Sequence, residues 1–408
     1  MENASDEVII QILVNSSLPE FNALCRTSKK FNNFCNNSPI SERIFKEKSY
    51  KDFSPNIIDF KSIKILWKDF YIRIYKLQIN PLNINVYCYV GYLMEIQILI
   101  NMNPAILPTT KGINSAAENG HLEVVKYLIS LDILPTQFGI NGTAKNGNLE
   151  VLKYLVSLGI CPTSRGADIA AENGHLEVLT YLVSLGICPT SGGANGAAET
   201  GHLKVLKYLV SLSICPTSCG ADAAAENGHL EVLKYLVSLN IRPISLAADW
   251  AARNGHLDVL KYLVSLGICP TSCGADWAAE NGHLEVLKYL VSLNIRPTPN
   301  GADAAAEKGH LYILKYLTSL GIHPTPFGAD WAANSDQLDI LKYLVSLNIY
   351  PTRCGANWAT AKGYLDILKY LVSLGIRPTP GGADQAVTNN FQEILDYLAS
   401  LDPPILPN

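Results

Sequence analysis

Apolar positions recur along most of the chain with two spacings, one nested inside the other. Within stretches of about ten residues they fall three and four apart, the period of one helix face; the stretches themselves return every 27 residues. In Gly274–Asn300, GADWAAENGHLEVLKYLVSLNIRPTPN, the small side chains of Ala275–Glu280 predict a short first helix and Asn281-Gly282-His283 a turn. Leu284–Leu293 then reads as a second helix, with Leu284, Leu287, Tyr289, Leu290 and Leu293 on one face and Glu285 and Lys288 on the wet one. Pro297 stops that helix and Thr298 offers a cap to the next. The pairs beginning at Gly120, Gly174, Gly201, Gly228, Gly255, Gly282 and Gly309, each followed by His, lie on one grid of eleven units from Gly112 to Asn408. An imperfect twelfth unit, residues 84–111, has Gly91-Tyr92-Leu93 in place of Gly-His-Leu. No such unit can bury its apolar face alone, so neighbours must stack, and the predicted fold is an all-α, elongated solenoid of helix-turn-helix repeats.

The first eighty residues follow a different pattern. Val8, Ile9, Ile12 and Leu13 form a helical stripe, Leu18-Pro19 opens a second helix with Phe21, Leu24 and Cys25, and Phe31, Phe34, Ile44 and Phe45 continue a core. Ile63, Leu66, Trp67, Phe70, Ile74 and Leu77 then predict an amphipathic helix. The expected organisation is a small helical domain over 1–50, a connecting helical segment over 51–83, a degenerate repeat over 84–111, and the array over 112–408.

Composition agrees with a large core. Hydrophobic residues make up 48% and charged residues 17%, which excludes a disordered chain. Lys and Arg total 32 against 36 for Asp and Glu, so a long basic stripe is disfavoured and no nucleic-acid partner is expected. The most apolar window, Ile84 to Ile100, is broken by Asn85, Glu95 and Gln97, so no membrane partner is expected either. The start, MENASDEVIIQIL, has no basic region ahead of its apolar residues, which points to an intracellular protein, in cytoplasm or nucleus, whose ten cysteines are reduced thiols.

Candidate chemistry is sparse. Stacked helices stand about 8–10 Å apart, too far for the seven slot histidines to share an ion, and the same spacing separates Cys161, Cys188, Cys215 and Cys269 from disulfide pairing. No phosphate loop, dinucleotide fingerprint or nucleophile elbow occurs. The expectation is a chain with no catalytic residues, no cofactor and no metal. What varies between units is more informative. The slot before Ala-Ala is Gly142, Ile169, Gly196 and Ala223 early on, then Trp250, Trp277, Trp331 and Trp358, with Ala304 the exception. A loop slot eight residues earlier changes from Cys161, Cys188 and Cys215 to Arg242, Arg296, His323, Tyr350 and Arg377, with Cys269 the exception. Trp, Tyr and Arg are enriched at interface hot spots, so these nine residues are the candidate partner-binding set, expected along one inner edge. The tryptophans can equally pack between neighbouring helices, and a Trp can do both.

The recurring Ala-Ala-x-x-Gly-His-Leu-Glu-Val-x-Lys-x-Leu core resembles the ankyrin repeat. Two features depart from that family. The Thr-Pro-Leu-His start is replaced by variants of Gly-Ala-Asp, and the six residues Ile160 to Arg165 are too few for the family's projecting hairpin. Short arrays of this kind resemble those of giant DNA viruses of amoebae. Residues 6–47, with an acidic start, the Leu18-Pro19 turn and Cys25-x-x-x-Lys29-x-Phe31, resemble an F-box. That resemblance implies binding of a Skp-type adaptor of a cullin ubiquitin ligase through Ile9, Ile12, Leu13, Leu18 and Pro19. The two likenesses together imply a non-enzymatic protein–protein interaction protein that holds a target on its array and recruits the adaptor. The alternative is a binding scaffold or sequestering protein whose N-terminal domain only caps the solenoid.

Overall fold

The computed structural model describes residues 6–27, 29–36, 38–61, 65–79 and 83–407. Among them the chain is an all-α repeat solenoid of thirty helices with no strand. Two compact units are resolved, one running to Ala170 with His175–Cys188, the other comprising Ala171–Gly174 and the residues from Pro189 onward.

The first unit begins with α1 (Asp6–Asn15), α2 (Leu18–Thr27), α3 (Lys29–Asn36), α4 (Ser38–Asp52), the single turn α5 (Pro55–Ile58) and α6 (Trp67–Ile79). Their core is aromatic: the Phe45 ring lies 5.0 Å from Phe21 and 5.5 Å from Tyr71, and Tyr71 lies 5.0 Å from Phe53. The buried face of α1 is Ile9, Ile10, Leu13 and Val14, whereas Val8 is 49% exposed. The expected stripe is thus turned by part of a helix revolution. Apolar residues occupy almost every position from Val8 to Val14, so periodicity alone leaves the face open and packing on α4 selects it. Of the predicted connecting helix, Ile63 lies outside the described residues.

Polar groups close this domain where helices end. Lys48 is 1% exposed, and its ammonium donates to the carbonyls of Val14 (3.2 Å) and Ser16 and pairs with Asp52 at 3.1 Å. It thereby satisfies carbonyls that the end of α1 leaves without helical partners. Tyr71 donates its hydroxyl to Asp52 at 2.6 Å, and burial, reinforced by that carboxylate, raises its pKa well above the usual phenol range. Glu42 accepts the backbone N–H groups of Trp67 (2.7 Å) and Lys68 (3.2 Å), capping α6. Cys25 and Cys35 are joined in a disulfide with Cα atoms 6.0 Å apart. The expectation that every cysteine is a free thiol is corrected here, because packing of α2 on α3 brings together two residues whose separation in sequence carries no pairing signal.

A pair of helices, α7 (Ile84–Val90) and α8 (Leu93–Met102), then turns at Gly91, and similar pairs continue to the end of the array. In the sample unit the first helix is Ser272–Glu280, three residues longer at its start than the sequence pattern predicts. The reason is the cap: Thr271 is extended and its hydroxyl accepts the N–H of Cys273 at 3.2 Å, so Cys273 and Gly274 enter the helix. Ala278, Ala279, Leu287 and Leu290 are fully buried between neighbours.

Ten successive units, from the one turning at Gly120 to the one turning at Gly363, have two left-handed backbone positions with different demands. Gly255 (φ +81°) and Gly267 (φ +80°) share a conformation that disfavours side chains. A Cβ on Gly267 would meet nothing within 4 Å, whereas one on Gly255 would lie 2.6 Å from the ring of His283 in the next unit. Accordingly the open kind of slot also accepts Asn240, Asn294 and Asn348 at positive φ. Asp336, at φ +59°, is a departure in the crowded slot.

A second stitch runs through the Gly-Ala-Asp segment. Asp276 accepts the backbone N–H of Thr298 at 2.6 Å and its hydroxyl at 2.8 Å, and Asp249, Asp303 and Asp330 treat Thr271, Thr325 and Thr352 alike. In the first unit Asn114 and Asn141 accept from Thr136 and Thr163. Successive first helices approach so closely that a Cβ on Gly301 would stand 2.5 Å from the Asp276 carboxylate. One rung is defective: Ile244 and Ala247 replace the Thr and the Gly, and the helix there starts only at Ala247.

Candidate functional site

In the second unit Trp250, Trp277 and Trp331 are half-buried and Trp358 is 36% exposed. Packing and display therefore coexist. The Arg253 guanidinium lies 5.7 Å over the Trp277 ring, a cation–π contact between adjacent first helices. Arg242, Arg296 and His323 are exposed and Tyr350 is 47% exposed, but Arg377 donates to the carbonyl of Asp402 at 2.8 Å and is already engaged.

Because the first helix starts early, Trp277 is its sixth residue of nine rather than lying near its start. The loop slot precedes the helix, so the two are separated by more than a turn of about 5.4 Å. Tyr370, on the next second helix, has its pKa raised chiefly by burial and secondarily by Tyr350. Phe327, missed in the slot pattern, is 65% exposed one turn before Trp331 on the same helix. Its signal was available, since the position before the recurring Gly of each unit also varies. Beyond Trp331 and Trp358 the acidic residue of earlier units, such as Glu280, is replaced by Asn334 and Ala361.

The slot histidines stitch units together. His121 bonds the carbonyl of Tyr89 at 2.9 Å, and His256 and His283 bond those of Glu226 and Arg253. Burial lowers the pKa of both His256 and His283, with neighbouring histidines adding to the effect and the carbonyl bond opposing it. On the second helices, Lys234 and Lys288 pair with Glu231 and Glu285 at 2.7 Å, three residues earlier. Where that position is Lys204, Asp258 or Tyr312, the lysine lies over the tyrosine of the next unit, as Lys207 does over Tyr235 at 5.6 Å and Lys261 over Tyr289 at 5.9 Å.

Of the residues assigned to adaptor binding, Ile9 and Leu13 are 0% exposed. They are core residues and present no surface, because the buried face of α1 is the one that carries them. Ile12 and Leu18 are half-buried and Pro19 is exposed. Among the described residues no three His, Cys, Asp or Glu side chains converge as metal ligands, and no helix is long and apolar enough to cross a membrane.

Comparison with known proteins places the array. Among solved structures the chain is similar to the pentatricopeptide repeat protein PPR10 from maize, with a TM-score of 0.35 and 12% identity over 99% of this chain and 68% of that one. It is also similar to PPR10 in complex with an 18-nt psaJ RNA element, with a TM-score of 0.40 and 10% identity over 97% of this chain and 68% of that one. At these values the likeness carries nothing about what this chain binds. The expectation that no nucleic acid is bound is nevertheless withdrawn, because a net charge near zero does not describe any local surface. Nothing among curated proteins matches the chain. The sequence pattern of "Ankyrin repeats (3 copies)" matches residues 113–192, 195–273 and 250–327, more than half of the chain. With those matches falling on stacked helix pairs closed by Gly-His turns, the chain belongs to the ankyrin-repeat family.

Proposed function

We propose that this ankyrin-repeat chain is a non-enzymatic interaction scaffold that holds a protein target on its later repeats, inside the cell. One observation carries the reading: Phe327, Tyr350 and Trp358 leave 65%, 47% and 36% of their surface in water, in units where Asn334 and Ala361 have replaced the acidic slot. Large aromatic side chains are typical anchors of interfaces. Arg242, Arg296, His323, Trp250, Trp277 and Trp331 extend the surface; Arg377 contributes only if it releases Asp402. The test is capture of the target from a host extract by the full chain. Arg296→Ala with Tyr350→Ala should weaken capture at least tenfold while Arg165→Ala leaves it unchanged; equal losses would spread the surface over the whole array.

The N-terminal domain then recruits a Skp-type adaptor through Ile12, Leu18 and Pro19, the members of the F-box-like set with accessible surface. Leu18→Ala with Pro19→Ala in the full chain should abolish adaptor capture and spare target binding. The burial of Ile9 and Leu13 favours the second reading, in which this domain is only a cap; a wild-type chain that captures no adaptor establishes that reading.

A further inference from the structure

In the first unit a groove of about 750 Å³ opens between α2, α6 and the helix pair α7–α8. Leu18, Pro19, Leu77, Tyr75, Tyr87 and Tyr92 form its walls, so most of what a ligand would touch is aliphatic or aromatic. The volume lies within the roughly 300–1,000 Å³ of pockets that take drug-sized ligands.

Three charged side chains set its sign. Glu95 on α8 is 4% exposed, and its carboxylate is bonded by the guanidinium of Arg73 on α6. That guanidinium also lies 5.5 Å over the Tyr92 ring, so it is held from two sides and cannot swing into solvent without stranding a buried carboxylate. A guanidinium has five N–H donors; Arg73 spends one nitrogen on Glu95, lines the groove and keeps 39% of its side-chain surface exposed, so further donors remain. Lys76 is exposed, follows on the same helix three residues later, and also lines the groove. With Glu95 offset by Arg73, the groove carries one uncompensated positive charge beside apolar walls.

We propose that the groove is a ligand site for a small apolar monocarboxylate, whose chain or ring lies on Leu18, Pro19, Leu77 and Tyr87 while its carboxylate is taken by Arg73 and Lys76. The fixed guanidinium supplies direction, Lys76 supplies the unmatched charge, and Asn22 offers a neutral hydrogen-bonding group. The groove shares Leu18 and Pro19 with the adaptor surface, but the site rests on the groove's own residues and is tested without any adaptor.

The experiment is calorimetric titration of the full chain with dodecanoate below its micellar concentration, alongside dodecanol, dodecylammonium and the acetylated peptide acid Leu-Leu-Phe. One equivalent of dodecanoate should bind, at least tenfold more tightly than dodecanol. Lys76→Glu changes an exposed side chain and reverses the net charge of the groove; it should weaken dodecanoate at least tenfold and make dodecylammonium the better ligand. Indifference of dodecanoate to Lys76→Glu, equal binding of dodecanol, or several equivalents bound would overturn the proposal. Tighter binding of the peptide acid than of any free acid would overturn it in favour of a protein partner.

Discussion

The defective rung at Ile244 gives the most direct test of how the repeats are held together. Ten other units place Thr at this position, and in nine of them its hydroxyl caps the following first helix or bonds the Asp or Asn of the first helix before it. Asp222 accepts the N–H of Ile244 at 2.7 Å, but lacks the hydroxyl that Asp249, Asp276, Asp303 and Asp330 receive at 2.9, 2.8, 2.7 and 2.7 Å. Burial raises the Asp222 pKa, opposed only by that backbone bond. Ile244 is itself 45% exposed, so Ile244→Thr forfeits little apolar burial. The regained cap contributes about 1 kcal/mol and the bond to a partly buried carboxylate about 1 more. Because one hydroxyl serves both, the expected net is roughly 1–2 kcal/mol. For a cooperatively melting segment of 150–250 residues that is a Tm gain of roughly 2–8 °C, accompanied by slower hydrogen exchange over residues 245–253. A carboxyl whose folded pKa is raised stabilises the fold below its unfolded pKa and loses that contribution as pH rises through the folded value. The gain should therefore be larger at pH 7 than at pH 3. Asp303 keeps both donors and is still raised, at 4% exposure against 8% for Asp222, so the hydroxyl reduces the penalty without removing it. An unchanged or lower Tm, or a gain equal at both pH values, would refute the account.

Further expectations follow from the same junctions. Gly267→Asn should cost under about 1 kcal/mol and Gly255→Asn about 1–3 kcal/mol more, because only the second side chain meets His283; equal losses in chemical denaturation would show that the ring yields. Asp336→Gly should raise the stability of the C-terminal repeats by about 1 kcal/mol, and no change in their melting would count against strain at φ +59°. The lowered pKa values of His256 and His283 mean that their contribution is present above the unfolded value, about 6.5, and is lost as pH falls through the lower folded values. The array should thus be less stable at pH 5 than at pH 7. His256→Asn copies the slot occupied by Asn148, whose amide bonds the Glu118 carbonyl at 2.7 Å, and should reduce that pH dependence.

Much of the array was legible without coordinates because its determinants are local. The 27-residue grid, the helix pair and the turn at Gly282 each depend on residues within one unit, so period and turn chemistry suffice to place them. The alternation of Gly and Asn after the second helix was visible too, though its permissiveness became clear only once Gly267 was seen to face open space. Where the candidate site is concerned, the residue types at the Trp and loop slots were readable, but their relation was not. A cap at Thr271 lengthens the first helix and makes Trp277 its sixth residue rather than one near its start, a shift that small-residue patterning cannot register. In the N-terminal domain, nearly continuous apolar sequence from Val8 to Val14 left the buried face of α1 open, and α4 chose Ile9 and Leu13 for the core. The Cys25–Cys35 disulfide, the Lys48 cap on α1 and the groove holding Arg73 against Glu95 all join residues from separate helices. Periodicity reports how a segment repeats along itself; it holds no information about which distant segment will lie against it, and that contact is what turns a spacing into a core, a cap or a site.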